Sequence, residues 1–321
     1  MSAPTMKDND LKPISGDFED STPLLDRPEE LRRRAEEDGF LFFRGVLDPA
    51  EVLAVRADII EVLDRHELID RRYPLNEAMA NMETVGRYHP RQFAVGSVPM
   101  PIYKEIQKLR SFHALAQTPK LIRVFDTLFG CETFAHPRNI ARVAVPHPEL
   151  LATPSHQDYT YIQGDENTWT CWLPLGDTPR RLGGIAVLKG SHKAGLLAMH
   201  NSFQGFAKPG SILCGLDYDW YTVDYKAGDI VIFHSLTVHK ALPNEIPGKI
   251  RLSCDFRYQP AKEPIAIDRS SLVPHLATDY GWEDVYRDWP KDDALKYYWK
   301  KYKFEYTEFD RSLFDPKEKI C

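Results

Sequence analysis

Apolar positions in the first 130 residues recur at helical spacing. Val52, Val55, Ile59 and Val62 line one face of a segment that opens with Asp48-Pro49-Ala50-Glu51, where Asp48 can cap and Glu51 follows three residues on. An earlier helix is predicted over 27–37. Asp26 can cap it, Pro28 suits its first turn, Glu29 completes a capping box and Gly39 ends it. Residues 39–45, Gly-Phe-Leu-Phe-Phe-Arg-Gly, read as a short buried strand. Two more helices are predicted over about 101–117 and 119–129, the second with Leu121, Val124, Phe125 and Leu128 on its apolar face. Residues 70–100 show no period and read as a long loop, of a kind that tends to be functional or mobile.

From Cys131 the pattern changes. Short runs rich in Val, Ile, Phe and Thr alternate with Gly, Pro and Asp turns, at 140–145, 169–175, 185–188, 221–225, 230–233 and 250–258. Such spacing predicts an all-β sandwich or barrel. In the tail, Leu295, Tyr298, Trp299 and Tyr302 fall on one helical face, which reads as a helix packed on the barrel, with a dimer contact as the alternative. The expected organisation is a flexible leader over 1–24 and a single domain over 25–321. That domain has a helical part over 25–130, a β core over 131–260 and a C-terminal helical extension over 261–321. The fold class is mainly β with flanking helices, a barrel or jelly roll.

Composition changes this picture little. With 321 residues there is enough chain for a large core, and 43% hydrophobic and 27% charged content are ordinary for a soluble protein. A net charge of -6 gives no support to a nucleic-acid role. Five cysteines, Cys131, Cys171, Cys214, Cys254 and Cys321, form no Cys-x-x-Cys pair and argue for reduced thiols in a cytosolic setting. The first four lie in or near apolar runs and are expected to be buried. Residues 1–20 lack the apolar core of a signal peptide, and no run approaches the roughly 18 apolar residues of a membrane span. Lys319-Ile320-Cys321 is not a peroxisomal address of the Ser-Lys-Leu type. The expectation is a cytoplasmic monomer or homodimer acting on a small molecule, without nucleic-acid or membrane partners.

Candidate chemistry sits in the β region. His156 and Asp158 are two apart, and on a strand such residues point to the same side, with Gln157 turned away. His239 ends a strand pattern just before the turn signal Pro243-Asn244 and is the best third partner. Two imidazoles and one carboxylate are the set that holds non-haem Fe(II) on one face and leaves the other open. A lone His-x-Asp is a weak signal in a chain with 11 histidines. Its company strengthens it. His156-Gln157-Asp158 is followed by Trp172-Leu173-Pro174-Leu175, by the run from Gly183 to His192, by Ala227-Gly228-Asp229-Ile230-Val231-Ile232-Phe233-His234, by His239 and by Arg251-Leu252-Ser253.

Over about residues 36–260, starting with Asp38-Gly39-Phe40 through Val46-Leu47, these runs resemble the phytanoyl-CoA dioxygenase family of Fe(II)- and 2-oxoglutarate-dependent oxygenases. The resemblance implies a double-stranded β-helix, a cupin-like jelly roll with iron at its mouth. It implies His156, Asp158 and His239 as iron ligands, and Arg251 as the partner of the far carboxylate of 2-oxoglutarate. A guanidinium suits that role because it forks onto a carboxylate and stays charged. Ser253 faces the same side and can add a hydroxyl, while Gln157 and Trp172 match positions near the cosubstrate. Ala241 stands where some relatives carry a hydroxyl that touches 2-oxoglutarate, so that contact is absent. The implied cofactor is Fe(II), with 2-oxoglutarate and O2 as cosubstrates. The implied reaction is hydroxylation of an unactivated C–H bond in a small apolar or natural-product-like molecule. Desaturation, epoxidation and ring closure can follow the same first step. Relatives that halogenate lack the carboxylate ligand, so Asp158 counts against halogenation.

Other residues compete for roles. His234 reads as structural support, His192 as a loop residue, and His136 or His147 as pocket lining. Arg257 shares a face with Arg251 and is a second candidate for the cosubstrate anchor. Tyr159 and Tyr161 share parity on a possible strand and are candidates for the substrate pocket. Arg87 or Arg142 could anchor a substrate carboxylate, and Met79, Met82, Arg87, Tyr88 and His89 could form a lid. The rival reading is a β-barrel binding protein whose metal is absent or structural. A zinc hydrolase is disfavoured, because spacings of the His-x-x-Glu-His type are missing.

Overall fold

A computed structural model describes residues 13–94, 97–147, 149–150, 152–200, 211–212, 216–267 and 272–314. The helical first part contains β1 (Ile14–Asp17), α1 (Pro28–Asp38), β2 (Phe40–Phe43), α2 (Pro49–Arg65), α3 (Met82–Gly86), α4 (Met100–Gln107), α5 (Arg110–Leu115) and α6 (Pro119–Phe129). The β region follows with β3 (Thr133–Ala135), β4 (Ile140–Ala144), α7 (Tyr159–Ile162), β5 (Trp169–Pro174), β6 (Ile185–Leu188), β7 (Met199–His200) and β8 (Ser211–Ile212). It continues with β9 (Trp220–Thr222), β10 (Ile230–His234), β11 (His239–Ala241) and β12 (Arg251–Pro260), and the tail adds β13 (Ile265–Ala266), α8 (Trp282–Val285) and β14 (Tyr306–Thr307).

Two sheets form the core of a jelly roll. One has the order β1-β9-β6-β11, and the other β2-β10-β5-β12-β3 with β4 also on β12. Pairing within both sheets is antiparallel except for β1 on β9. Because side chains alternate along a strand, each strand of the larger sheet serves two environments. Leu41, Phe43, Cys171, Leu173, Ile230, Ile232, Leu252, Cys254, Phe256 and Tyr258 face the helices and form one core with Val52, Val55, Ile59, Leu121 and Phe125. Phe40, Phe42, Trp172, Val231 and Phe233 face inward and meet Ile185, Val187 and Tyr225 from the side of the smaller sheet. Runs such as Phe40–Phe43 and the first four residues of β10 are continuously apolar because both faces of these strands are covered.

Several expectations need correction. The leader was expected to reach residue 24, but Ile14–Asp17 already pairs with β9, and Ser21 donates to Phe42 at 2.7 Å. Asp26 does not cap α1. Arg27 holds the N-cap position without a side-chain bond, and Asp26 lies 3.5 Å from Arg123 instead. Gly39 does end α1, in the left-handed conformation. Asp48 caps α2 by accepting from the amide of Ala50. The helix expected over 101–117 breaks into α4 and α5 around Lys108 and Leu109.

The C-terminal extension is not a regular helix. Among the described residues it contains the four-residue α8, turns of tight helix at Tyr298–Lys301 and Arg311–Phe314, and two short strands. Tyr297, with φ 53°, interrupts any continuous helix and turns its ring into a cluster with Trp282, Tyr286, Trp289 and Trp299 around Phe134. The extension thus lies along β3, and Tyr298 donates its hydroxyl to Ala135 O at 2.7 Å. Cys171 and Cys254 are buried as expected, but Cys131 is exposed in the turn after α6, and Cys214 and Cys321 lie outside the described residues. Among the described residues, no helix is long and apolar enough to cross a membrane.

Candidate active site

His156 and His239 are brought together by a backbone bridge. Each donates its amide to the other's carbonyl, at 3.0 and 3.1 Å, and the ring centroids lie 4.1 Å apart. Asp158 is not on a strand with His156. It opens α7 at φ -70°, ψ -28°, and its carbonyl accepts from the Tyr161 and Ile162 amides. The turn through Gln157 therefore does what strand parity was expected to do. Asp158 Oδ1 lies 3.7 Å from His156 Nε2 and 3.9 Å from His239 Nε2. Among the described residues, these three form a group whose ligand atoms all lie within 4.8 Å of one another.

The second shell of contacts prepares the imidazoles for a metal. His156 Nδ1 lies 2.8 Å from Pro154 O, and His239 Nδ1 lies 3.0 Å from Thr237 O. A carbonyl can only accept, so Nδ1 carries the proton and Nε2 keeps its lone pair. Burial pushes His156 down to about 3, aided by the neighbouring His239 and opposed by Asp158. His239 is lowered by burial as well. Burial alone would raise Asp158, but Arg257 outweighs it and holds the carboxyl well below its ordinary range. The two imidazoles are neutral, so Arg257 is the charge that matters. Thr170 adds a hydroxyl bond to Asp158 Oδ2 at 2.5 Å. Two neutral imidazoles with free Nε2 atoms and an ionised carboxylate are in the protonation states a divalent cation requires, so the donor set fits non-haem iron.

The inward face of β12 carries Arg251, Ser253, Asp255, Arg257 and Gln259, all buried. Arg251 donates to Ser253 Oγ at 2.5 Å and lies 5.9 Å from the centre of the Trp172 ring. Burial pushes Arg251 down to about 10, and its Nε is buried without a partner. Arg142, which pairs with Ser253 across β4, donates to Asp255 at 2.7 Å. Arg257, which pairs with Thr170 across β5, lies 3.5 Å from Asp158 Oδ1.

Some expected site residues stand elsewhere. The Gln157 amide donates to Gly195 O and Leu236 O at 2.8 and 2.6 Å and accepts from Leu197 N at 2.8 Å. It ties three loop carbonyl and amide groups together rather than facing a cosubstrate. Tyr159 and Tyr161 lie on a helix, where residues two apart diverge by about 200°. Tyr161 stays beside the triad, its ring 6.1 Å from that of His156, whereas Tyr159 faces Glu166 and Asp165. Arg87 is exposed and paired with Glu83 at 2.5 Å. Tyr88 packs on Phe93, which packs on His147. His234 accepts from Leu236 N, and His192 bonds to Glu36 O.

Asp255 and Thr170 were missed as parts of the interior. A signal was present. On β12 the polar residues Arg251, Ser253, Asp255, Arg257 and Gln259 alternate strictly with Leu252, Cys254, Phe256 and Tyr258. That period marks a strand with one polar inner face.

Comparison with known proteins agrees with this geometry. The family model for phytanoyl-CoA dioxygenase matches residues 35–251. The chain is 29% identical over 276 residues to the 1-deoxypentalenic acid 11-beta-hydroxylase of Streptomyces arenae, covering 82% of this chain and 92% of that protein. The Streptomyces exfoliatus enzyme of the same name is also 29% identical, over 277 residues, again covering 82% and 92%. Among solved structures, the epimerase SnoN in complex with Fe3+, alpha ketoglutarate and nogalamycin RO superposes with a TM-score of 0.54 at 19% identity, covering 75% of this chain and 86% of that one. With the family match spanning most of the jelly roll and the two imidazoles and carboxylate converging inside it, this chain belongs to the phytanoyl-CoA dioxygenase family of Fe(II)- and 2-oxoglutarate-dependent oxygenases.

Proposed function

We propose that His156 Nε2, Asp158 Oδ1 and His239 Nε2 hold the iron, and that Arg251 and Ser253 hold the far carboxylate of 2-oxoglutarate beside Trp172. The observation that carries this reading is the convergence of the three ligand atoms in the same barrel interior that Arg251 enters. Bound Fe(II), with 2-oxoglutarate and O2, supplies an oxidant able to take hydrogen from an unactivated C–H bond. The protein's part is to orient and to exclude water. Arg251 fixes one end of the cosubstrate through a charged fork, and its unpartnered Nε is available for that bond. Phe40, Phe42, Val231 and Phe233 keep the interior apolar around it.

The reaction we assign is hydroxylation of a small natural-product-like molecule. The hydroxylases of Streptomyces support it, and Asp158 counts against halogenation. The acid those enzymes act on is the first substrate to try. We read the chain as one oxygenase domain from about residue 25 onward. We place it in the cytoplasm, as a monomer or homodimer without nucleic-acid or membrane partners, in keeping with its net charge of -6 and scattered cysteines. The deciding experiment is release of succinate from 2-oxoglutarate by the Fe(II)-loaded protein. Asp158→Ala should abolish it, and failure of the unsubstituted protein to bind or decarboxylate 2-oxoglutarate overturns the reading.

A further inference from the structure

The barrel interior holds more positive charge than the known parts of the reaction consume. Among the described residues, its charged side chains are Arg142, Arg251 and Arg257 against Asp158 and Asp255, at most 18% exposed where ion pairs bring them together. That is three guanidinium groups against two carboxylates, an excess of one. On the functional reading above, Fe(II) brings two positive charges and 2-oxoglutarate two negative ones, so the excess of one remains. An uncompensated buried charge is costly, and a site that carries one is built for an opposite partner.

Only one of the three arginines is left to meet it. Arg251 is assigned to the cosubstrate, and Arg142 is bonded to Asp255 at 2.7 Å. Arg257 has only the 3.5 Å approach to Asp158, whose Oδ1 is the atom directed at the metal, and the Arg257 Nε is buried without a partner. Beside it stands His136, just after β3, whose amide donates to Arg257 O on β12 at 2.8 Å. His136 is 1% exposed, and neither ring nitrogen has a hydrogen-bond partner. Gln259 approaches it, and Gln259 Oε1, which also accepts from Thr168 at 3.4 Å, is the acceptor nearest to hand for a ring N–H. Buried donors left without partners in a folded protein call for an occupant. Here the Arg257 guanidinium, with its unpartnered Nε, lies beside Asp158 of the triad, and the His136 imidazole adjoins Arg257.

We propose that Arg257, with His136 beside it, is the anion-binding subsite for the substrate, and that the substrate is therefore a carboxylic acid held by its carboxylate. Arg257 offers a fork of N–H donors to the acid group, His136 offers a ring N–H, and Arg142 adds positive potential from the adjoining strand β4. This arrangement orients the rest of the substrate toward the open side of the His156–Asp158–His239 cluster. Arg257 acts here as a substrate-binding residue, distinct from Arg251 on the same strand.

The test compares two small probes, cyclohexanecarboxylate and the neutral cyclohexanecarboxamide. Calorimetry is run without oxygen on the full chain loaded with Fe(II) and 2-oxoglutarate. Binding of 2-oxoglutarate to the unsubstituted protein is measured first and tests the functional reading alone, while the probe comparison tests the subsite. The unsubstituted protein should prefer the carboxylate by about tenfold or more, as a charge-assisted bond implies. Arg257→Gln should erase that preference while keeping 2-oxoglutarate binding. Arg257→Lys keeps the charge but loses the fork, and should retain part of the preference, which separates the effect from misfolding. Three results overturn the proposal. The unsubstituted protein binds neither probe at millimolar concentration or binds both equally, Arg257→Gln retains the preference, or Arg257→Gln loses 2-oxoglutarate and iron together. The last outcome would mean that Arg257 acts through Asp158.

Discussion

His156 and His239 face each other across a two-way backbone bridge, amide to carbonyl at 3.0 and 3.1 Å, which fixes two imidazoles on one side of the barrel mouth. The geometry leaves Asp158 as the only anionic member of the cluster. Asp158→Ala should lower iron affinity by at least about a hundredfold, since losing even an outer partner of a metal ligand costs 10–100-fold. Titration of the apoprotein with Fe(II) under nitrogen checks this. Near-normal iron binding would show that the cluster is not the metal centre.

Arg251 and Gln157 were both expected near the cosubstrate, and the structure separates them. Arg251→Gln should weaken 2-oxoglutarate binding by about 10–100-fold, the worth of charge-assisted hydrogen bonds, with little change in iron affinity. Gln157→Ala should instead lower the melting temperature, because it strips the partners from Gly195 O, Leu236 O and Leu197 N. Its 2-oxoglutarate affinity should stay within about threefold. The opposite pattern, with cosubstrate affinity lost at unchanged stability, would return Gln157 to the cosubstrate.

The apoprotein should be sensitive to mild acid. Burial lowers His113 to about 4, with its Nε2 held 2.9 Å from Gln107 O, and burial lowers His136 and His156 to about 3. Their ordinary value is about 6.5. The unfolded chain therefore takes up protons first. Stability present above about pH 6.5 is lost as the pH falls toward 4, by up to about 1.4 kcal/mol per unit for each fully buried ring. Asp158, held low by Arg257, loses its contribution only below the ordinary carboxylate range. Urea melts of metal-free protein at pH 7.5 and 5 measure this. His113→Gln should reduce the slope, and equal midpoints at both pH values would refute it.

Gly228 has φ 95°, and a Cβ there would stand 2.5 Å from Leu47 O. The turn it makes presents Asp229, which accepts from Gly45 N at 2.9 Å and Lys226 N at 2.8 Å and so locks β10 to β2. Gly228→Ala should destabilise the fold by about 2 kcal/mol or more, combining left-handed strain with a backbone clash. Thermal melting checks this, and an unchanged midpoint would mean that the turn can rearrange.

The positions of the main strands and the three metal-ligand candidates were legible in the chain because the signals are local. A period of two exposes strands, a period of 3.6 exposes helices, and His156, Asp158, His239 and Arg251 sit in recognisable runs. The tail misled because Leu295, Tyr298, Trp299 and Tyr302 match a helical period, whereas the aromatic cluster around Phe134 rewards an irregular path through Tyr297. Asp158 misled because a residue pair two apart cannot show whether a strand or a turn connects it.

The sequence by itself determined which residue types line the site and the alternation that turns one face of β12 inward. Tertiary structure decided who meets whom inside. It set Arg257 against Asp158, Arg142 against Asp255, and the Gln157 amide against two loops, at 195–197 and at Leu236. Those pairings join residues 38 to 113 positions apart, and no local period records them. They follow from how two twisted sheets close on each other, and from the cost of leaving any buried charge or amide without a partner.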